Sequence, residues 1–308
     1  MLIKGYAELS SNNRPSVVSI GNYDGVHLGH QYVVESLLQK STELNVPSTV
    51  ITFDPLAKEF FKPNSVLRLS SVEQRAALLM DLGVDQVLCI DFNQEFANYS
   101  PLAFVEDVLI DGLGVQYLCI GDDFRFGKDR VGDFKFLKKL GRQRGFNVAT
   151  HDTFELNGDR VSSGRVRMAL ESDNLELAQQ LLGRPYSIQG EVSRGQQLGR
   201  TINFPTANIN LEDYILPVNG VYAVRCQLNN DKTLIDGVAN IGMRPTVSGK
   251  KNRLEVYLFD FDDDIYGESL DVQLLFKIRN EQKFSSVANL QKQIQLDVLS
   301  AKKYLQKT

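Results

Sequence analysis

The stretch GNYDGVHLGHQ, residues 21–31, decides how the first half of this chain is read. It follows an apolar run, Val17, Val18 and Ile20, and leads into a helix-period segment over residues 28–40. That order predicts a strand, a glycine loop and a helix. Gly21, Gly25 and Gly29 let the backbone approach a ligand closely. His27 and His30 fall at i and i+3, on one face of the helix's first turn. That turn offers N–H groups and the positive end of the helix dipole, which suit phosphate. The chain has three histidines, and two of them sit here. On an ordinary βα turn they would be capping or core histidines. The motifs further along the chain favour a phosphate loop instead.

Outward from this loop, short apolar runs alternate with helical patterns. Residues 17–20, 48–53, 86–90 and 116–120 read as buried strands. Residues 32–40, 72–82 and 102–110 carry helix-period apolar side chains between them. The alternation predicts βαβ units and a parallel sheet, with ligand loops after the strands' C-terminal ends. Gly21, Asp54 and the segment 121–127 each follow such a strand. A helix over 166–182 closes this half, and Gly183-Arg184-Pro185 serves as stop and linker. The expected domains are therefore residues 1–183 and 184–308. Past the linker, strand-like runs at 187–192, 220–227, 253–259 and 270–278 are separated by turns rich in Gly, Asn, Asp and Pro. Asn229-Asn230-Asp231 has the composition of a hairpin turn. This is the pattern of an antiparallel barrel or sandwich. A last helix follows Ser285 and Ser286, with Val287, Leu290, Ile294 and Val298 along one side. The fold class is α/β: a Rossmann-like parallel domain, then an antiparallel barrel with a terminal helix.

Composition narrows the partners. A net charge of −4 speaks against a nucleic-acid partner. Cys89, Cys119 and Cys226 are scattered and lack metal-ligand spacing, which fits a reducing cytoplasm. No apolar run reaches membrane-spanning length, and the N-terminus carries no signal-peptide pattern. Small-molecule substrates are expected, and oligomeric state is not legible.

Residues 161–167, VSSGRVR, stand just ahead of a helix. Ser162 and Ser163 suit a helix cap or a phosphate, and Arg167 suits phosphate oxygens. The loop 121–127, GDDFRFG, sets Asp123, Phe124, Arg125 and Phe126 between glycines, either as a ligand loop or as a tight turn with a hydrophobic plug. Asn22 and Asp24 shape the first loop, whether as phosphate neighbours or as simple turn residues. The strand–loop–HxGH–helix sequence resembles the nucleotidylyltransferase signature, and residues 162–167 resemble the Ser-Ser-x-x-x-Arg signature of the same superfamily. Together with Phe53-Asp54-Pro55, the 121–127 loop and Arg68-Leu69, they resemble the FMN adenylyltransferase module of the bifunctional bacterial riboflavin kinase/FAD synthetase family. The resemblance implies that FMN phosphate attacks the α-phosphorus of ATP. It assigns His27, His30 and Arg167 to the charge on the phosphates, and Gly21, Asn22, Asp24, Gly25, Ser162 and Ser163 to the nucleotide. It assigns Phe53, Asp54, Asp123, Phe124, Arg125 and Phe126 to the flavin. Two positions depart from the family, Ala57 in place of a second proline and Gly164 in place of a hydroxyl residue.

In the second half, residues 195–208 read GQQLGRTINFPTAN, which is no Walker loop. Thr206 and Asn208 share a face of an extended stretch and could hold Mg²⁺ beside a phosphate. Without context the stretch reads as a glycine-rich β-turn. In RLEVYLF, residues 253–259, Leu254, Val256 and Leu258 face one way and Glu255 and Tyr257 the other. Glu255 is either a general base or a solvent-facing strand residue. The PTAN run at 205–208, ANIGMRPT at 239–246, Glu255 and Arg279 resemble the riboflavin kinase module of the same family, with Asn203 and Tyr257 as departures. The resemblance implies a small barrel in which Glu255 takes a proton from riboflavin. Gly195, Gly199 and Arg200 then lie on the nucleotide, Thr206 and Asn208 on Mg²⁺, and Arg279 on the flavin. The implied co-substrate is ATP, with riboflavin, FMN and FAD as substrates or products. The acidic run at 260–264 fits no Ca²⁺ loop, since counted from Asp260 the sixth position is Ile265 and counted from Asp262 Gly267 fits but Gln273 replaces the closing glutamate, and it reads as a solvated turn.

Three competing readings fail on the same residues. A different nucleotidylyltransferase with a mere binding domain would lack Glu255 or the PTAN run. A decayed regulator would have broken motifs. A tRNA-synthetase relative would carry a Lys-Met-Ser-Lys-Ser-like loop and a less acidic charge.

Overall fold

The computed structural model describes all residues except 11–12, 64, 122, 195–203, 212–214, 230, 232, 247–248 and 308, and over 243–252 it describes the backbone. Gly195, Gly199, Arg200 and Asn203, assigned above by resemblance, lie outside the described residues, as does Asp122. The chain forms two compact units. The first contains Met1–Val66 and Val72–Ser163, and the second Leu67–Ser71 and Gly164–Thr308.

The first unit is a six-stranded parallel sheet in the order β1-β4-β3-β2-β5-β6. Its strands are β1 (Leu2–Lys4), β2 (Ser16–Ile20), β3 (Ser48–Asp54), β4 (Gln86–Asp91), β5 (Val115–Gly121) and β6 (Asn147–His151). All five residues of β2 are buried, as is the first part of β3, because helices cover both faces of the sheet. From β2 the chain steps one way to β3 and β4, then crosses to β5 on the other side. The loops after β2 and β5 therefore flank the switch point, where open parallel sheets hold ligands. One core packs Ile20, Ile51, Leu88, Leu118 and Ile120 against the helical segment Phe104–Gly112. The opposite core packs Val17, Val50 and Val87 against Val34 and Leu37 of the helix Leu28–Leu44. A two-residue hairpin pairs β7 (Glu155–Leu156) with β8 (Asp159–Arg160) beyond β6.

The single helix expected over 166–182 is two helices, Ser163–Glu171 and Leu175–Leu182. Asp173 between them has φ 60, and Asn174 caps the second helix through Leu177 N–H at 3.0 Å. A left-handed residue cannot continue a helix, and helical periodicity alone does not reveal it.

The second unit is a closed six-stranded antiparallel barrel, in the order β10-β13-β12-β11-β14-β9. It comprises β9 (Tyr186–Ser193), β10 (Ala207–Asn210), β11 (Gly220–Leu228), β12 (Leu234–Thr246), β13 (Gly249–Leu258) and β14 (Ser269–Arg279). Closure leaves no sheet edge exposed for pairing. The barrel also holds the segment 67–71, since Leu67 bridges to Ile215 and Arg68 N–H donates to Ile215 O at 2.9 Å. The helix Val287–Leu305 starts at Ser286, whose hydroxyl accepts from Asn289 N–H. Its packed side differs from the expected stripe. Val298, Ala301, Tyr304 and Leu305 lie against Val221, Ala223 and Val238, whereas Val287 is exposed.

Candidate functional site

In the first unit, residues after β2, β3, β5 and β6 line one cleft of about 1090 Å³. His27 is the N-cap of the helix Leu28–Leu44 and not part of its first turn. Its Nδ1 accepts the His30 N–H at 3.3 Å. That bond places the proton of neutral His27 on Nε2, leaving Nε2–H as the ring's donor. The His27 and His30 rings stack at 3.7 Å and 16°. Both line the cleft, so the capping role does not withdraw His27 from it. A methyl group at Gly29 would stand 3.2 Å from the His27 ring and 3.3 Å from Val161 O. Glycine there lets the helix start press against both.

The loop is strained. Tyr23 has φ 49 and Val26 has φ 41, and positive φ at a β-branched residue costs about 1–3 kcal/mol. Burial holds it in place, with Tyr23 2 % and Val26 1 % exposed. Tyr23 Oη and Ser19 Oγ are 2.6 Å apart, and Ser19 in turn donates to Cys119 O at 3.0 Å. The Tyr23 ring lies 4.9 Å from that of His30. Burial raises the Tyr23 phenol well above its usual range, so it remains a donor.

Gly21, Asn22, Ser162 and Ser163 border the cleft beside the histidines. Asp24 and Gly25 do not; both are buried within the loop. Asp24 O accepts the Ser163 hydroxyl at 2.9 Å, which draws the two signatures together. Of the residues that the resemblance assigns to the flavin, Phe53, Asp123, Phe124, Arg125 and Phe126 line the cleft, while Asp54 does not. Phe124 and Phe126 stack at 5.5 Å and 14°. Arg125 Nη1 donates to Phe124 O at 3.0 Å. Arg167 belongs to the second unit, where its Nε donates to Leu67 O at 2.6 Å.

Sequence reasoning missed much of the wall. Phe61, Phe92, Phe96 and Tyr99 also border the cleft, and Phe92 and Phe96 meet Phe53 at 5.8 and 5.9 Å. The adjacent Phe60-Phe61 pair past Pro55 was the available signal. Arg160 pairs with Asp123 at 3.3 Å, and His151 at the end of β6 lines the same cleft. No local motif marks either residue.

In the second unit, Asn208 on β10 is the direct partner of Glu255 on β13, and Asn240 on β12 flanks Glu255 from the other side. The alternation holds: Leu254, Val256 and Leu258 are buried, and Glu255 and Tyr257 are half-buried. Arg253 Nη2 donates to Glu255 Oε1. Asn208 Nδ2 donates to Thr206 O at 3.4 Å, leaving its Oδ1 as an acceptor. Arg279 is held by Asp297, with Nε–Oδ1 at 3.0 Å and Nη2–Oδ2 at 2.8 Å. Its Nη1 donates to Asn280 O at 3.0 Å. No cluster of three His, Cys, Asp or Glu side chains suited to a metal exists among the described residues.

Fold and geometry together define a two-unit chain, a parallel α/β unit whose HxGH loop lines a cleft ahead of a closed antiparallel barrel. The family model described as FAD synthetase matches residues 9–165, and that described as riboflavin kinase matches residues 182–305. A protein from Pseudomonas fluorescens, called bifunctional riboflavin kinase/FMN adenylyltransferase, is 45 % identical over 98 % of this chain and 96 % of its own length. Its namesake from Escherichia coli K12 is 44 % identical, over 98 % and 97 %. The chain belongs to the bifunctional riboflavin kinase/FMN adenylyltransferase family. A crystal structure described as a macrolide-efflux protein from Streptococcus pneumoniae covers 98 % of both chains, with TM-score 0.78 and 29 % identity. Among the described residues, no helix is long and apolar enough to cross a membrane.

Proposed function

We propose a division of labour in which the barrel phosphorylates riboflavin to FMN and the first unit adenylylates FMN to FAD, each by the residues that face its site. The observation that carries this reading is the stacked His27–His30 pair on the floor of an aromatic-walled cleft. An aromatic wall suits a flat isoalloxazine ring, and N–H donors at a helix start suit phosphates. The family models and the relatives' names support both activities.

In adenylyl transfer an FMN phosphate oxygen attacks the α-phosphorus of ATP, and pyrophosphate departs. No protein nucleophile is needed. The site aligns the reactants and balances charge as it moves onto the leaving group. His27 Nε2–H and the His30 ring serve as fixed donors. Gly21, Asn22, Ser162 and Ser163 border the nucleotide, Asp24 and Gly25 support that loop from behind, and Arg167 belongs to the phosphate side by motif. Phe53, Phe124, Phe126 and Arg125 hold the flavin end, with Asp54 and Asp123 shaping its loops.

In the kinase step Glu255 accepts the proton of the ribityl hydroxyl as that oxygen attacks the γ-phosphorus of ATP, and ADP departs. Asn208 pairs with Glu255 across β10 and β13, and Thr206 Oγ1 and Asn208 Oδ1 are hard oxygen donors of the kind that suits Mg²⁺ shared with substrate phosphates. When bound, Mg²⁺ neutralises phosphate charge. Gly195, Gly199 and Arg200 belong to the nucleotide side by motif, and Arg279 to the flavin side, its fork oriented by Asp297. We place the division between modules at 183/184 and the working compartment in the cytoplasm, with small molecules as partners and no nucleic acid.

The test is purified protein with riboflavin, ATP and Mg²⁺, its products separated by chromatography. FMN followed by FAD is the expected outcome. Neither product above a no-enzyme control overturns the reading, and EDTA is expected to stop both steps.

A further inference from the structure

Arg75, on the helix Val72–Asp81, is fully buried at 0 % exposure. Its Nη1 donates to Thr52 Oγ1 at 2.7 Å and to Phe53 O at 3.2 Å. Nε and Nη2 have no hydrogen-bond partner. Among the described residues no carboxylate pairs with it. A buried guanidinium without a counter-charge is costly, and an apolar side chain of similar volume is often neutral or stabilising in its place. Stability is therefore a poor reason for an arginine at this position.

Its contacts suggest another. Thr52 accepts from Arg75 and passes its own hydroxyl proton to Asn22 O at 2.9 Å. Arg75 thus holds the Phe53 carbonyl directly and the Asn22 carbonyl through one hydroxyl. The paired register of β2 and β3 ends at Ile20–Ile51, with Gly21 N–H on Ile51 O at 3.1 Å. Immediately beyond, the Thr52–Asn22 link takes over from the backbone ladder. Asn22 and Phe53 both line the cleft, one on the nucleotide loop and one on the flavin wall.

We propose that Arg75 is a positioning residue for adenylyl transfer, setting through Thr52 and Phe53 the spacing of the loops that carry the two reactants. This rests on the reading that the first unit adenylylates FMN. A rigid supporting shell matters here because a displacement of about 1 Å between reactants can cost about 10²-fold in rate.

The test uses the full chain and three variants, assayed for FAD formation from FMN and ATP, for FMN formation from riboflavin, and for thermal midpoint. Arg75→Met is expected to fold with an unlowered midpoint and unchanged riboflavin phosphorylation, while kcat/KM for FAD formation falls about 10- to 100-fold and KM rises for both FMN and ATP. Arg75→Lys, which keeps a buried donor, is expected to recover most of that loss. Thr52→Val keeps the bond to Phe53 O and cuts the link to Asn22, so KM for ATP rises and KM for FMN does not. Wild-type kcat/KM in Arg75→Met overturns the proposal. So does a loss matched by falls in thermal midpoint and kinase activity, which marks a structural role. If Arg75→Met does not fold, Thr52→Val decides, and an unchanged KM for ATP overturns it. A wild-type protein that makes FMN but no FAD overturns the underlying functional reading instead.

Discussion

The Ser163 hydroxyl donates to the Asp24 carbonyl at 2.9 Å, joining two segments 139 residues apart. Through this bond Ser163 is tied to the HxGH loop. Asp24 is 1 % exposed, so the bond is made out of contact with water.

Ser163→Ala tests that link. Losing one such bond costs about 1 kcal/mol, or about fivefold in an equilibrium. KM for ATP in FAD formation is expected to rise by about that factor. Riboflavin phosphorylation is expected to stay at the wild-type rate. Equal loss of both activities would contradict a role confined to the first unit.

The His27–His30 pair can be tested without disturbing the helix start. Asparagine is a good N-cap, so His27→Asn keeps the cap and removes the Nε2 donor. Its thermal midpoint is expected to stay near wild type. FAD formation is expected to drop about 10²-fold or more, the scale for losing one preorganised donor, and His30→Ala is expected to match it. Turnover of supplied FMN, followed by chromatography, is the measurement.

Glu255→Gln preserves shape and the bond from Arg253 but cannot take a proton at neutral pH. FMN formation is expected to fall about 10²- to 10⁴-fold, with FAD formation from supplied FMN near wild type. A variant that phosphorylates riboflavin at full rate would remove Glu255 from the mechanism.

Stability should also respond to pH through His151. Burial pushes its imidazole below the ordinary value of 6.5, with Asp152 acting weakly the other way. Its Nε2 is buried without a hydrogen-bond partner. Below pH 6.5 the unfolded chain takes up a proton that the folded chain resists, so stability falls as pH drops. The wild-type midpoint is expected to decline more between pH 7.5 and 5.5 than that of His151→Gln. Parallel curves would show that His151 does not contribute.

Local order was legible in the sequence. Strand runs such as 17–20 and 48–53, the glycine loop with its two histidines, and the alternation around Glu255 all follow from patterns a few residues long, where periodicity and backbone sterics decide. Family resemblance added chemistry to those patterns. What tertiary structure alone decided involves partners far apart in the chain. The break at Asp173 comes from one backbone conformation inside an otherwise helical pattern. The segment 67–71 joins the barrel through Ile215, although its neighbours on both sides belong to the first unit. The aromatic wall gathers Phe53 at the end of β3 and Phe61 just beyond it with Phe92 and Phe96, which follow β4. Arg75 looks like an ordinary polar position on an amphipathic helix, and its chemistry emerges only when Thr52 and Phe53 are brought over it. Periodicity records which side of an element is buried, but it does not record what that side meets, because the contact depends on strand order and on where each loop returns.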